Sequence, residues 1–226
     1  MSMLIIENGL IKQSITSPLH DASNHTANAL FIGEEYSNHL GVVDNFTQAV
    51  VAGAGSQTPD ATNHKILLST GISAGVTSAI FSTKKQYTFG SKPIVANFII
   101  NDSTIGVGSG FSTQIGFSNN FAGSMQTAGA RKVMFFRSIS DAGFWFAYTG
   151  IDTQGQTTAL SVSNGDFVTI IATSTQVLFY VNGALMAIHT TYIPTVAMNI
   201  GVSVYADSST TERTVSVDLM SIKKYN

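Results

Sequence analysis

Apolar and polar positions alternate with a period of two along most of the chain after residue 64. No stretch sustains the i, i+3, i+4, i+7 apolar spacing of a helix. Segments rich in Val, Ile, Phe, Tyr and Thr recur roughly every 8–15 residues, divided by Gly, Asn, Asp and Ser, the spacing of a sandwich or barrel. The pattern is clearest near the C-terminal end. Residues 167–173 read as a strand opened by the turn Asn164-Gly165-Asp166, and 176–181 read as its neighbour. Asn182-Gly183 then predicts a two-residue hairpin, because both turn positions need φ > 0. Residues 184–190 return as the partner strand, Pro194 breaks the run, and 198–205 and 214–222 supply two more strands. Upstream, 65–69, 76–82, 94–101, 114–117, 132–137 and 144–149 complete the set of about eleven.

This pattern predicts an all-β protein: a two-sheet antiparallel jelly-roll sandwich with an N-terminal extension. Residues 1–50 are Asn-, His- and Ser-rich with weak periodicity. They read as an arm or extra β layer, with short strands at 4–6 and 10–15. Residues 51–226 read as the sandwich, with 52–63 a loop leading into it.

Composition sharpens this picture. Apolar residues make up 44% of the 226 residues, enough for a sizeable core, while charged residues make up only 11%, well below the ordinary share. The polar surface is therefore mostly Ser, Thr, Asn and Gln. A net charge of -2 gives no electrostatic footprint for nucleic acid. With no cysteine, disulfides and thiolate metal sites are excluded. Residues 1–10 lack the basic and apolar regions of a secretory signal, and no apolar run reaches the length of a membrane span.

Four stretches carry a family resemblance. They are Leu68-Ser69-Thr70-Gly71 leading into Val76-Thr77-Ser78-Ala79-Ile80-Phe81; Gln114-Ile115-Gly116-Phe117; Gly165-Asp166-Phe167-Val168-Thr169-Ile170 followed by Val177-Leu178-Phe179-Tyr180-Val181-Asn182-Gly183; and Val217-Asp218-Leu219-Met220-Ser221-Ile222. Together they resemble the concanavalin A-like lectin/glucanase superfamily in its laminin-G-like form, over about 160 residues from Lys65 to Asn226. The resemblance implies a jelly-roll fold. It leaves open lectins, glycosidases, adhesion modules and virion attachment or decoration proteins.

Candidate chemistry is sparse. Retaining glycoside hydrolysis needs two carboxylates about 5 Å apart, and the glucanase branch places them on one strand as E-x-D-x-x-E or E-x-D-x-E. The chain's four glutamates, Glu7, Glu34, Glu35 and Glu212, form no such pattern. Gly71-Ile72-Ser73-Ala74-Gly75 matches G-x-S-x-G, but a strand rather than a helix follows, so a turn between strands is expected. The S-x-x-K matches at 82–85 and 221–224 lack the S-D-N and K-T-G partners of acyl-transfer enzymes. Gly106-Val107-Gly108-Ser109-Gly110 opens no helix and cannot cradle a phosphate. His20, His25, His39, His64 and His189 contain no H-E-x-x-H, and Asp141, Asp152 and Asp207 share no D-x-D spacing. No cofactor, metal or catalytic residue is expected.

Aromatic residues remain as contacts. Strand alternation over 143–148 places Phe144, Phe146 and Tyr148 on one face and Trp145 on the other, while Arg131, Val133, Phe135 and Arg137 share a face of the preceding strand. Core packing is the default role for any one of these aromatics; if one makes a ligand contact, the candidate is Trp145, with Arg137 and Asp141, to stack against a sugar ring or a partner protein. The expected function is a non-enzymatic structural protein of a virion surface (fibre, turret or capsid decoration) that binds copies of itself, other virion proteins and cell-surface glycan. The alternatives are a carbohydrate-binding or adhesion module outside the cell or on its surface, and a divergent glycosidase.

Overall fold

The computed structural model describes residues 3–7, 10–15, 29–32, 46–51, 55–60, 65–72, 74–82, 87–102, 111–121, 129–137, 145–206 and 212–224. They form an antiparallel two-sheet sandwich. One large sheet runs β12 (Gln154–Leu160), β11 (Trp145–Ile151), β10 (Arg131–Arg137), β9 (Phe111–Ser118), β16 (Asn199–Ala206), β7 (Val76–Ser82) and β4 (Phe46–Val51). The other runs β15 (Ala184–His189), β14 (Val177–Val181), β13 (Phe167–Ala172), β8 (Ile94–Asp102), β17 (Thr214–Lys224), β6 (Lys65–Ser69) and β5 (Ser56–Asp60), with β3 (Ala29–Ile32) also paired to β17. A separate hairpin joins β1 (Met3–Glu7) to β2 (Leu10–Ile15). No helix long and apolar enough to cross a membrane occurs among the described residues.

The period-two pattern places one face of each sheet in the core. Ile115, Phe117, Val133, Phe135, Ala147, Ile200, Val202 and Val204 face inward from the first sheet. They meet Ala96, Phe98, Val168, Ile170, Val177, Phe179 and Val215 from the second, each fully buried. Phe135 and Phe179 join the sheets edge to face, with centroids 5.3 Å apart at 89°. A ring buried this way contributes about 1.5–3 kcal/mol by area, with a further ~0.5–1.5 kcal/mol for the ring geometry.

The predicted hairpin is present. Asn182 and Gly183 take φ of 50° and 81°, the two left-handed positions of the turn. Asn182 also ties this turn to the preceding one at 164–166, accepting from the Phe167 amide at 2.9 Å and donating to Asp166 Oδ1 at 2.7 Å. Asp166 Oδ2 in turn accepts from the Ser163 amide.

Three differences from the pattern have physical causes. Residues 56–60 form β5 inside the expected loop 52–63. Its sequence S-Q-T-P-D lacks apolar residues, and it gains strand geometry from pairing with β6 at the sheet edge, where Pro59 is tolerated. Gln154–Leu160 forms β12, although Q-G-Q-T-T-A-L carries little apolar signal; it too is an edge strand. The boundary drawn at residue 50 falls inside β4, which closes one edge of the first sheet.

At one side the sandwich is fastened by His189, a fully buried residue of β15. Its Nδ1 lies 3.1 Å from Thr149 Oγ1 on β11, and its Nε2 lies 3.0 Å from Thr158 Oγ1 on β12. The Thr149 hydroxyl donates to the Thr191 carbonyl at 3.0 Å, so it must accept from the ring. That assigns the proton to Nδ1 and leaves Nε2 to accept from Thr158. Gln156 Oε1 adds a clasp, accepting from the Thr191 hydroxyl at 2.8 Å and from the Thr190 and Thr191 amides. Burial pushes the His189 pKa down from 6.5 to about 4. Between those values the unfolded chain binds a proton that the folded one refuses, so stability falls as pH drops through this window. Thermal melts should show a loss on the order of 2 kcal/mol between pH 6.5 and 4, with a flatter profile in His189→Gln. Parallel profiles for the two proteins would refute the assignment.

Candidate functional site

The outward face of the first sheet is ordered in rows by its register. One row runs Ala79, Ser203, Gln114, Phe136, Phe146 and Ala159 across six strands. The next runs Phe81, Gly201, Gly116, Met134, Tyr148 and Thr157. A third holds Asn199, Ser118, Lys132, Gly150 and Gly155. Gly201 and Gly116 leave the middle row without side chains at its centre. Across that gap Lys132 Nζ donates to Gln114 Oε1 at 2.9 Å.

This central floor is polar and closed. Lys132, Ser112, Gln114, Ser118 and Ser203 are all buried, and the Oγ atoms of Ser112 and Ser203 have no hydrogen-bond partner among the described residues. Burial also pulls the Lys132 pKa from 10.5 to about 7.

Toward β12 the face becomes aromatic and opens. Phe136 and Phe146 stack at 5.1 Å with 23° between planes, and Tyr148 meets Phe136 edge-on at 5.7 Å. All three rings are half-buried, and Thr157 and Ala159 beside them are exposed. Glycines hold the Tyr148 ring flat on the sheet. A Cβ at Gly150 would overlap that ring, and one at Gly155 would lie 2.7 Å from its Cζ. The ring thus covers two glycines of neighbouring strands, which strengthens an otherwise weak edge. The Tyr148 hydroxyl donates to the Gln154 carbonyl at 3.5 Å at the exposed margin of the platform, and burial raises its pKa.

The sequence-based candidates fall elsewhere. Trp145 and Arg137 are cross-strand partners on the inward face, each 1 % exposed. Of the two roles weighed for Trp145, ligand contact and core packing, the structure shows core packing. Trp145 packs in the core among Phe135, Ala147 and Leu160, because its face is the one that meets the second sheet. The rings open to solvent are Phe146 and Tyr148, on the face opposite, together with Phe136. Asp141, the loop Gly106–Gly110, Ser73, Asp207, Glu34, Glu35, His20, His25, His39 and His64 lie outside the described residues. Asp152 pairs with Arg131 at 2.6 Å in the turn between β11 and β12, and Glu212 accepts from Ser69 Oγ at 2.6 Å. No group of three His, Cys, Asp or Glu with metal-binding proximity occurs among the described residues.

No strand of the first sheet contains Asp or Glu. The ring platform was missed because it needs the cross-strand register. The sequence marks it only by aromatic residues at alternate positions beside glycines.

No protein-family model matches this chain, and no curated protein matches it in sequence. Solved structures match it in shape. A beta-glucanase of Bacillus licheniformis superposes with a TM-score of 0.61 at 12% identity, covering 89% of this chain and 100% of its own. The carbohydrate recognition domain of Emp46p in potassium-bound form gives 0.57 at 7% identity, over 80% of this chain and 89% of its own. An immunostimulatory antigen and pseudo beta-1,3-glucanase of Mycobacterium tuberculosis gives 0.60 at 8% identity, over 82% and 93%. At these identities the likeness is one of fold.

Proposed function

Because the chain has the concanavalin A-like lectin/glucanase fold, we propose that it is a non-catalytic glycan-binding protein that uses the outward face of the first sheet. The observation that carries this reading is the half-exposed ring platform of Phe136, Phe146 and Tyr148. Sugar rings present apolar C–H faces to aromatic rings and hydroxyls to polar rims. Thr157 and the Tyr148 hydroxyl stand at that rim. The names of the neighbours agree with a carbohydrate ligand: one is a carbohydrate recognition domain, another a beta-glucanase.

Support for the non-catalytic part comes from the acids. Hydrolysis needs a proton donor and a second carboxylate across the scissile bond, whereas the charged side chain on the outward face of these strands is Lys132. Composition supports a further step, placement of this binder on a virion surface, since only 11% of residues are charged and Ser, Thr and Asn dominate the exterior. Mass spectrometry of purified particles tests that step, and absence of the chain from them would remove it.

Binding to a glycan array, followed by titration of the best ligand, tests the main reading. Phe146→Ala should weaken binding about tenfold, equivalent to about 1.4 kcal/mol, with the melting temperature nearly unchanged. A blank array, or full affinity in both Phe146→Ala and Tyr148→Ala, would sink it. Release of reducing sugar from a β-glucan would remove the word non-catalytic.

A further inference from the structure

The edge of the second sheet carries a different surface. β15 is its terminal strand, and its far side pairs with no strand among the described residues. Leu185, Met186 and Ile188 on this strand are 48%, 40% and 51% exposed, and Tyr192 and Val196 on the segment that follows are 40% and 42% exposed. The patch continues inward through the cross-strand partners Leu178 of Ile188 and Tyr180 of Leu185, and then to Ile171 and Val95, which cluster with them. Edge strands in isolated proteins are commonly protected by charge. Here the forty residues from Phe167 to Ala206 contain no Asp, Glu, Lys or Arg.

We infer that this chain forms a two-fold dimer through β15, the edge strand and its apolar row docking on the same surface of a second copy. Three observations choose the occupant. An uncharged surface does not repel its own copy and offers nothing to steer or pair a charged partner. An antiparallel strand edge is self-complementary about a two-fold axis, donor facing acceptor on each side. The area also fits. At roughly 200 Å² per large side chain, the five exposures leave on the order of 400 Å² of apolar surface per copy. Docked on itself this buries about 800 Å², and the strand backbone and flanking side chains bring it to the roughly 1,200 Å² where specific interfaces begin. The dimer is therefore expected to be reversible. The bulge lies in β15 itself, with Met186 as its extra residue, so regular edge pairing with a second copy runs over the residues that follow it, Ala187 to His189, and the side chains supply the rest of the contact. The ring platform lies on the other sheet and is not consumed by this contact.

Sedimentation velocity over a range of protein concentrations tests the inference. The unaltered chain should pass from monomer to dimer as concentration rises. Ile188→Lys and Leu185→Lys should each shift the dissociation constant upward at least tenfold, with circular dichroism and melting unchanged, since both side chains are about half exposed. Ile72→Lys, at a 69% exposed apolar residue in the turn before β7, should leave the dimer intact. A monomer at every concentration up to several hundred micromolar overturns the proposal. So does a dimer that both β15 variants leave unchanged, one lost equally in Ile72→Lys, or an assembly that grows past two copies.

Discussion

Gly116→Ala is expected to be severely destabilising: soluble expression lost, or a loss of about 2–6 kcal/mol. The reason lies in the centre of the first sheet. Gly116 has a φ of 141°, a conformation that residues with a Cβ rarely adopt. A Cβ there would lie 2.5 Å from the Val133 carbonyl oxygen, 2.8 Å from the Met134 Cα and 2.9 Å from Ile170 Cδ1. Two of those three atoms are backbone of the adjacent strand β10, which cannot move aside without breaking its ladder with β9. The third belongs to a fully buried side chain of the opposite sheet. With this φ the added methyl meets β10 and the core side chain Ile170 of the opposite sheet, so backbone strain combines with overpacking, effects worth about 1–3 kcal/mol each. Gly129 offers the internal control. It also has a positive φ, 79°, but a Cβ there meets nothing within 4 Å. Gly129→Ala should lose only about 1 kcal/mol. Chemical denaturation of the two variants side by side decides the matter, and a Gly116→Ala protein as stable as Gly129→Ala would show that the strand is not held in this conformation.

How much of this was legible in the sequence depends on which interaction decides each residue. The hairpin at Asn182-Gly183 was legible because its geometry is local: two residues that tolerate positive φ settle the turn. The strands from residue 65 onward were legible because burial on one face imposes period two. β5 and β12 were not, because an edge strand draws its order from one neighbour and needs little apolar content of its own. The candidate site fails at a sharper point. Alternation correctly separated Trp145 from Phe146 and Tyr148, yet period two is symmetric and does not say which face meets the other sheet. The register does: Trp145 lies opposite Arg137, on the face of β10 that carries Val133 and Phe135 into the core. Lys132 was equally hidden. Its neighbour Gln114 lies 18 positions away in the chain, and the two meet diagonally across β9 and β10, past Gly116, which has no side chain.

Lys132 also gives the largest expected response to pH. It is 1 % exposed, and burial lowers its pKa from 10.5 to about 7. In that interval the unfolded lysine carries a proton that the folded one has released. The unfolded state binds more protons, so stability rises with pH from about 7 toward 10.5. Below about 7 the folded protein must hold a buried ammonium, and the full cost is present. Every tenfold weakening of proton binding on folding is worth about 1.4 kcal/mol, so with allowance for local relaxation the rise should be roughly 3 kcal/mol. Lys132→Met keeps the length and apolar character of the stem while removing the charge. It loses the bond to Gln114, worth about 1–2 kcal/mol. The two effects oppose each other with different pH dependence, and their magnitudes decide the sign. At pH 6 the variant should be more stable than the parent by roughly 1–2 kcal/mol, because removing the buried charge outweighs the lost bond. At pH 10 it should be less stable by about 1 kcal/mol, because only the lost bond remains. Urea unfolding at the two pH values reads the crossing directly. A variant less stable than the parent by the same amount at both would mean that Lys132 keeps an ordinary pKa, and that the polar floor beside the ring platform is solvated rather than closed.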